Sequence, residues 1–201
     1  AIKMHTLLDL RGSIPVFIDI TEGSVHDVNS LDKLPIEPGS YYMMDKGYID
    51  FHRLYTLFHQ ARAFFVTRAK HNFQCKVVSE AEVDQEAGLI SDQIVRLTTY
   101  KSVKSYPEEI RLVVYEDYAT NTVYSFMTND FELPALSIAE LYRERWKVES
   151  FFKWIKQHLH IKAFYGTSPN AVHCQIWIAI STYLLIAIAK KKHDLAISLY
   201  T

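Results

Sequence analysis

The feature that most constrains this chain is the order in which short apolar runs and turn signals follow one another. Residues 2–10 suit a half-buried strand, Arg11-Gly12-Ser13 is a turn signal, and residues 14–20 suit a second strand, so the chain opens on a hairpin. Residues 28–34 form a short helical stretch that Asp27 or Asn29 is placed to cap, and Pro35 and Pro38-Gly39 stop it. Residues 41–44 and 64–67 are two further strand-length runs. Between them Phe51, Leu54, Tyr55 and Phe58 recur at helical spacing over residues 48–60. Strand, strand, helix, strand, helix, strand is an α/β order built on a mixed sheet.

From Arg68 to about Leu136 the pattern changes. Residues 94–98, 110–115 and 123–128 read as antiparallel strands, the last two joined by a turn near residues 119–121, with a polar loop over residues 101–109. This is a β-rich insertion. Ser137-Ile138-Ala139-Glu140 is a capping box that opens a long helix running to about Leu159, and residues 166–169 separate it from an apolar helix starting near Ala171. The expected division is a core of residues 1–67 and 137–201 with an insertion over residues 68–136.

Composition sets the outer bounds. With 201 residues, 49% hydrophobic and 22% charged, the chain buries a core and is not disordered. A net charge of −1 says nothing about nucleic acid, which needs a basic patch and not a basic average. Cys75 and Cys174 lie far apart and fit no metal or redox spacing, so they read as free thiols of a reducing cytosol. Lys3, His5 and Asp9 argue against a signal peptide, and the absence of an initiator methionine reads as a segment of a longer protein. Residues 171–189, followed by Lys190, Lys191 and Lys192, approach the length of a membrane span. His173, Gln175, Ser181 and Thr182 interrupt them, which favours a buried core helix and no membrane.

The stretch that carries chemistry is residues 141–159. On one helix at ~100° per residue, Tyr142, Arg145, Glu149 and Lys156 fall within about 60° of arc and span roughly 21 Å. Leu141, Val148, Phe152, Ile155 and Leu159 make the adjacent apolar face. A row of cations at that length tracks phosphates, and a carboxylate within it requires a divalent cation between it and the phosphate. The bland alternative is a solvated amphipathic face laced by i,i+4 ion pairs, and spacing alone leaves both open, with the bland face ahead.

Tyr142-x2-Arg145-x3-Glu149-x6-Lys156 resembles the YREK signature of a large branch of bacterial insertion-sequence transposases of the DDE type. Asp45-Lys46-Gly47-Tyr48 resembles that family's second-aspartate motif. Lys3-x-His5, residues 23–27 and Phe65-Val66-Thr67-Arg68 are also similar, so the likeness covers nearly the whole chain. It implies an RNase H-like core in which three carboxylates hold two Mg²⁺ or Mn²⁺ ions, Asp45 and Glu149 matching the second and third. Arg145 and Lys156, assisted by Tyr142, would then bind phosphates of double-stranded transposon-end DNA. The implied active complex is a cytoplasmic homodimer that cuts those ends and joins them to target DNA.

The family's first aspartate sits on a strand ahead of the hairpin. No residue here matches it, Asp9 and Asp19 included, which implies an inactive fragment. Two rivals follow: a segment that only contacts DNA or partner protomers, and a host nuclease of the same fold.

Other residues carry weaker signals. His158 and His160, two apart, face different ways on a helix, unlike the i,i+4 pair of a zinc helix. His26-Asp27 forms a dyad on paper, yet a loop turning into a helix explains it more simply. Arg68 and Lys70 read equally as DNA contacts or as surface charge. Tyr100, Tyr106, Tyr115, Tyr118 and Tyr124 in the insertion are expected mostly to pack between strands.

Overall fold

The computed structural model describes residues 2–158, 165–166 and 168–193. In chain order the strands are β1 (Ile2–Asp9), β2 (Ile14–Glu22), β3 (Tyr41–Met44), β4 (Phe64–Arg68), β5 (Cys75–Ala81), β6 (Leu89–Leu97), β7 (Ile110–Asp117) and β8 (Thr122–Thr128). The helices are α1 (Phe51–Arg53), which runs on as a wide π turn over Leu54–His59, then α2 (Tyr100–Ser105), α3 (Ala135–Glu144), α4 (Trp146–His158) and α5 (Pro169–Lys192). Two 3₁₀ turns, Asp27–Lys33 and Lys46–Tyr48, lead into and out of the β3 region.

The chain divides into two compact units, residues 1–25 with 145–201, and residues 26–144. In the first, β1 and β2 pair as an antiparallel hairpin closed by Ser13 at a positive φ of 52°. Its core joins Leu8 to Phe151, Trp154 and Ile155 of α4 and to Val172, Ile176, Ile180 and Tyr183 of α5. The Tyr183 ring meets Phe151 at 4.8 Å and Trp154 at 5.1 Å, both edge-on, and its hydroxyl donates to the Ser13 carbonyl at 2.7 Å. A polar tip satisfied at the end of an apolar body lets a tyrosine sit fully buried. By length and composition α5 passes for a membrane span, but one face is built into this core, as a core helix requires. Its other side remains apolar at Trp177, Ile178, Leu185, Ile186 and Ile188.

The second unit is a six-stranded mixed sheet in the order β3-β4-β8-β7-β6-β5. Only β3 and β4 run parallel, with Met44 opposite Thr67; every other pair is antiparallel. The strands of the 68–136 stretch thus extend the same sheet as β3 and β4. Helix α3 packs on β3, β4, β6 and β7, burying Ile138, Ala139 and Tyr142 against Val66 and Phe126. On the other side Leu54 and Phe58 are buried, and Phe58 meets Phe65 edge-on at 6.1 Å. Asn129 fastens the start of β4: it accepts from Phe65 N–H at 2.9 Å and donates to the Ala63 carbonyl at 2.8 Å. Arg111 holds Asp92 through two bonds of 2.8 and 2.7 Å and donates to the Leu133 carbonyl at 2.6 Å, tying β6 and β7 to the approach to α3.

Several expectations need correction. Residues 137–159 are not one helix: α3 ends at Glu144, α4 starts at Trp146, and Arg145 is a turn residue between them. The cause lies in the apolar phases. On a continuous helix the buried residues of α3 and those of α4 would face directions about 170° apart, so one straight rod cannot bury both. The helix also begins at Ala135, ahead of the Ser137 capping box. Neither Asp27 nor Asn29 caps the first 3₁₀ turn, whose N-cap is His26 without a side-chain bond. Residues 101–105, part of the expected 101–109 loop, belong to α2 because Thr99 accepts from Ser102 N–H as its cap. Of the insertion tyrosines, Tyr106, Tyr115 and Tyr124 pack in the unit's interior, whereas Tyr100 and Tyr118 are exposed. His160 lies outside the described residues, as does the His158 side chain. Cys75 and Cys174 are free thiols.

Candidate functional site

The parallel register of β3 and β4 determines what stands at their carboxyl ends. Met44 faces Thr67, so the next residues, Asp45 just past β3 and Arg68 at the last position of β4, stand side by side. Asp45 then caps the Lys46–Tyr48 turn, its Oδ1 accepting from Gly47 N–H at 3.1 Å. Its Oδ2 accepts from Arg68 Nη2 at 3.4 Å. Asp45 is 40% and Arg68 33% exposed at the side chain, so this pair sits at the surface end of the strands. The Arg68 guanidinium lies 5.8 Å from the Tyr142 ring centroid and 6.0 Å from that of Tyr124. Its Nε is buried without a hydrogen-bond partner.

Gly47 leaves room beside the carboxylate. A Cβ there would stand 3.9 Å from Asp45 Oδ1 and 3.7 Å from Asp27 Oδ2, so two carboxylates flank this turn. Tyr48 lies among them; burial first, then the charges of Asp27 and Asp45, push its phenol up to about 12.

The other three positions of the YREK-like pattern belong to the hairpin–α5 unit. Glu149, in the first turn of α4, accepts from Arg145 Nη2 at 2.7 Å, with side chains 41% and 18% exposed respectively. Seven residues further along α4, exposed Lys156 shares an open hollow of about 460 Å³ with Glu149, Phe152, Lys153 and Gln157. Tyr142, expected on one stripe with the two cations and Glu149 at the rim of the apolar face, is instead 7% exposed in the sheet unit, its ring 4.9 Å from Phe126. The structure therefore joins Glu149 to Arg145 and to the hollow of Lys156, and joins Tyr142 to Asp45 through Arg68.

Arg68 is what sequence reading left undecided. Its signal was present only as a cation at a strand end, and its meaning depends on the parallel partner.

Among the described residues no three His, Cys, Asp or Glu side chains gather as a metal cage. The donors at Asp45 and Glu149 are hard carboxylate oxygens, which suit Mg²⁺ or Mn²⁺ in a site that keeps water ligands. In that donor chemistry the two residues fit.

The transposase DDE domain family matches residues 1–185, and the chain belongs to that family. Among its relatives, y4zB of Sinorhizobium fredii, provisionally named a transposase, is 37% identical over 94% of this chain and 53% of the relative. A protein provisionally named as the transposase of insertion sequence element IS5377 in Geobacillus stearothermophilus is 29% identical over 92% of this chain and 48% of the relative. Its counterpart for element IS4SA in Synechocystis is 26% identical over 92% and 52%. The chain thus spans about half the length of these relatives. Two of these relatives are named for insertion sequence elements.

Proposed function

We propose that this chain is the catalytic segment of a metal-dependent transposase of the YREK branch, acting on the ends of its own element. The observation that carries the reading is the family match over residues 1–185, with Asp45 at the carboxyl end of a parallel strand pair. In this reading β3 and β4, with the hairpin and a further strand carrying the family's first aspartate, belong to an RNase H-like core. Residues 1–67 and 137–201 belong to that core and residues 68–136 to its insertion.

Asp45 and Glu149 would hold Mg²⁺ or Mn²⁺ with that first aspartate. Two such ions supply an activated water or 3′-hydroxyl and stabilise the leaving oxygen. The chain's own residues do the rest. Gly47 N–H fixes the direction of the Asp45 carboxylate, and Arg68 holds its other oxygen before a cation binds. Arg145 does the same for Glu149, and Lys156 presents an exposed ammonium to a phosphate at the transposon end. Tyr142 assists indirectly, its ring supporting Arg68. The working assembly is a cytoplasmic homodimer on double-stranded DNA. No residue of this chain matches the first aspartate, so residues 1–201 alone contact DNA without cutting it.

The test is strand cleavage of a transposon-end duplex by a protein carrying this segment together with the first aspartate. Mg²⁺-dependent cleavage that disappears with chelator is the expected result. Robust chelator-sensitive nicking by residues 1–201 alone, or cleavage indifferent to Mg²⁺, overturns the assignment.

A further inference from the structure

We infer that Arg68 is the positioning residue of Asp45, holding the carboxylate while no divalent cation is bound and passing to a DNA phosphate once Asp45 turns to the cation. The inference rests on the proposed metal role of Asp45 and adds a residue and an exchange to it.

The argument starts from a contrast between two arginine–aspartate pairs in the same unit. Arg111 grips Asp92 with two short bonds, and both side chains are almost fully buried, 8% and 13% exposed. That pair is a clamp, since bidentate geometry away from solvent resists exchange. Arg68 touches Asp45 through one nitrogen at 3.4 Å, the outer edge of hydrogen-bond range, with both groups about a third or more exposed. A single long contact at the surface is readily given up.

What keeps Arg68 in place does not depend on Asp45. The rings of Tyr142 and Tyr124 both lie about 6 Å from its guanidinium carbon, a range in which an aromatic face attracts a cation. Tyr142 is itself locked against Phe126 and Tyr124 stacks on the same Phe126 at 5.8 Å. The guanidinium is thus held near two rings, while its Nη2 is the nitrogen turned to an anion, here Asp45. With Asp45 turned to a dication, that nitrogen faces an uncompensated position, and an arginine fork suits a phosphate.

The experiment is a double-mutant cycle on binding of a 20-base-pair DNA duplex in EDTA, read by fluorescence anisotropy across a salt series. Wild type, Asp45→Asn, Arg68→Gln and the double variant are compared, each with a thermal melt. Asp45→Asn frees Arg68, so the log–log salt slope should steepen by about 0.9, the value of one added phosphate contact. In the Arg68→Gln background the same change should leave the slope unaltered. Equal effects in both backgrounds would mean simple loss of negative charge and would overturn the inference, as would no effect in either.

A second measurement needs no Arg68 variant. Mn²⁺ should steepen the wild-type slope by about 0.9 and leave that of Asp45→Asn, whose Arg68 is already free, unaltered, and a wild-type slope indifferent to Mn²⁺ would overturn the exchange. Coupling in EDTA alongside failed cleavage by the complete protein refutes the proposed function alone. Cleavage without coupling refutes this inference alone, and no duplex binding at all refutes both.

Discussion

Asn129 offers the most direct test of how the site's strands are held. Its amide stands in for a missing strand neighbour at the start of β4, accepting from Phe65 N–H and donating to the Ala63 carbonyl, and Ala63 and Phe65 are fully buried. Asn129→Ala strands one donor and one acceptor where water does not reach. Leaving a buried polar group unpaired costs about 1–3 kcal/mol each, so the change should cost roughly 2–6 kcal/mol. That is a large share of the ~5–15 kcal/mol that stabilises a domain. Asn129→Asp separates geometry from shape: it keeps the acceptor for Phe65 but turns a carboxylate oxygen toward the Ala63 carbonyl. Burial beside another acceptor favours the protonated acid, raising the folded-state pKa of the introduced carboxyl above its unfolded value. Stability relative to wild type is then best below the unfolded pKa and is lost as pH rises through the folded one, so the deficit should shrink on acidification. The assay is urea unfolding followed by far-UV circular dichroism at pH 7 and pH 4, with the slope checked for constancy. An Asn129→Ala protein within about 1 kcal/mol of wild type at unchanged slope would refute the reasoning.

Three further outcomes follow from the same geometry. Glu149→Gln in the complete protein should lower cleavage by about 10³-fold or more while duplex binding holds or rises, since carboxylate-held ions carry transition-state charge; cleavage within tenfold of wild type removes Glu149 from the site. Lys156→Ala should reduce the salt slope of transposon-end binding in EDTA by about 0.9, whereas Arg145→Ala, already engaged by Glu149, should change it much less; equal losses would mean that the Arg145–Glu149 pair does not hold in solution. The Tyr48 phenol should titrate near pH 12 by absorbance difference against Tyr48→Phe; because its folded pKa is raised, its contribution to stability is whole below about 10 and fades between 10 and 12, and a midpoint at 10 would contradict its burial.

What was legible in the sequence had a local cause. The hairpin, β3 and the strands β6 to β8 announce themselves by strand-length apolar runs between turn residues, and each lies within a few residues of its expected place. β5 did not, because nearly all its residues are exposed on the sheet's edge and no buried face imprints an alternation. The break at Arg145 was written in the apolar phases of residues 138–155, but only for a reader who treats the two halves as facing different cores. A single stripe drawn through Tyr142, Arg145, Glu149 and Lys156 imposed continuity that burial does not respect.

The pairing of Asp45 with Arg68 lies beyond local reading altogether. Twenty-three positions separate them, and neither residue's neighbours carry a trace of the other. What brings them together is that β3 and β4 run parallel with Met44 opposite Thr67; a shift of one residue would turn each side chain to the opposite face. That register is set by the packed interior around the two strands, Tyr42 on Phe58, Tyr41 stacked on Phe64 at 4.7 Å, and Asn129 at the head of β4. A charge pair at the rim is therefore specified by apolar contacts several residues below it. Family likeness singles out the proposed aspartate because a motif is contiguous; its counter-charge emerges only when the sheet has been assembled.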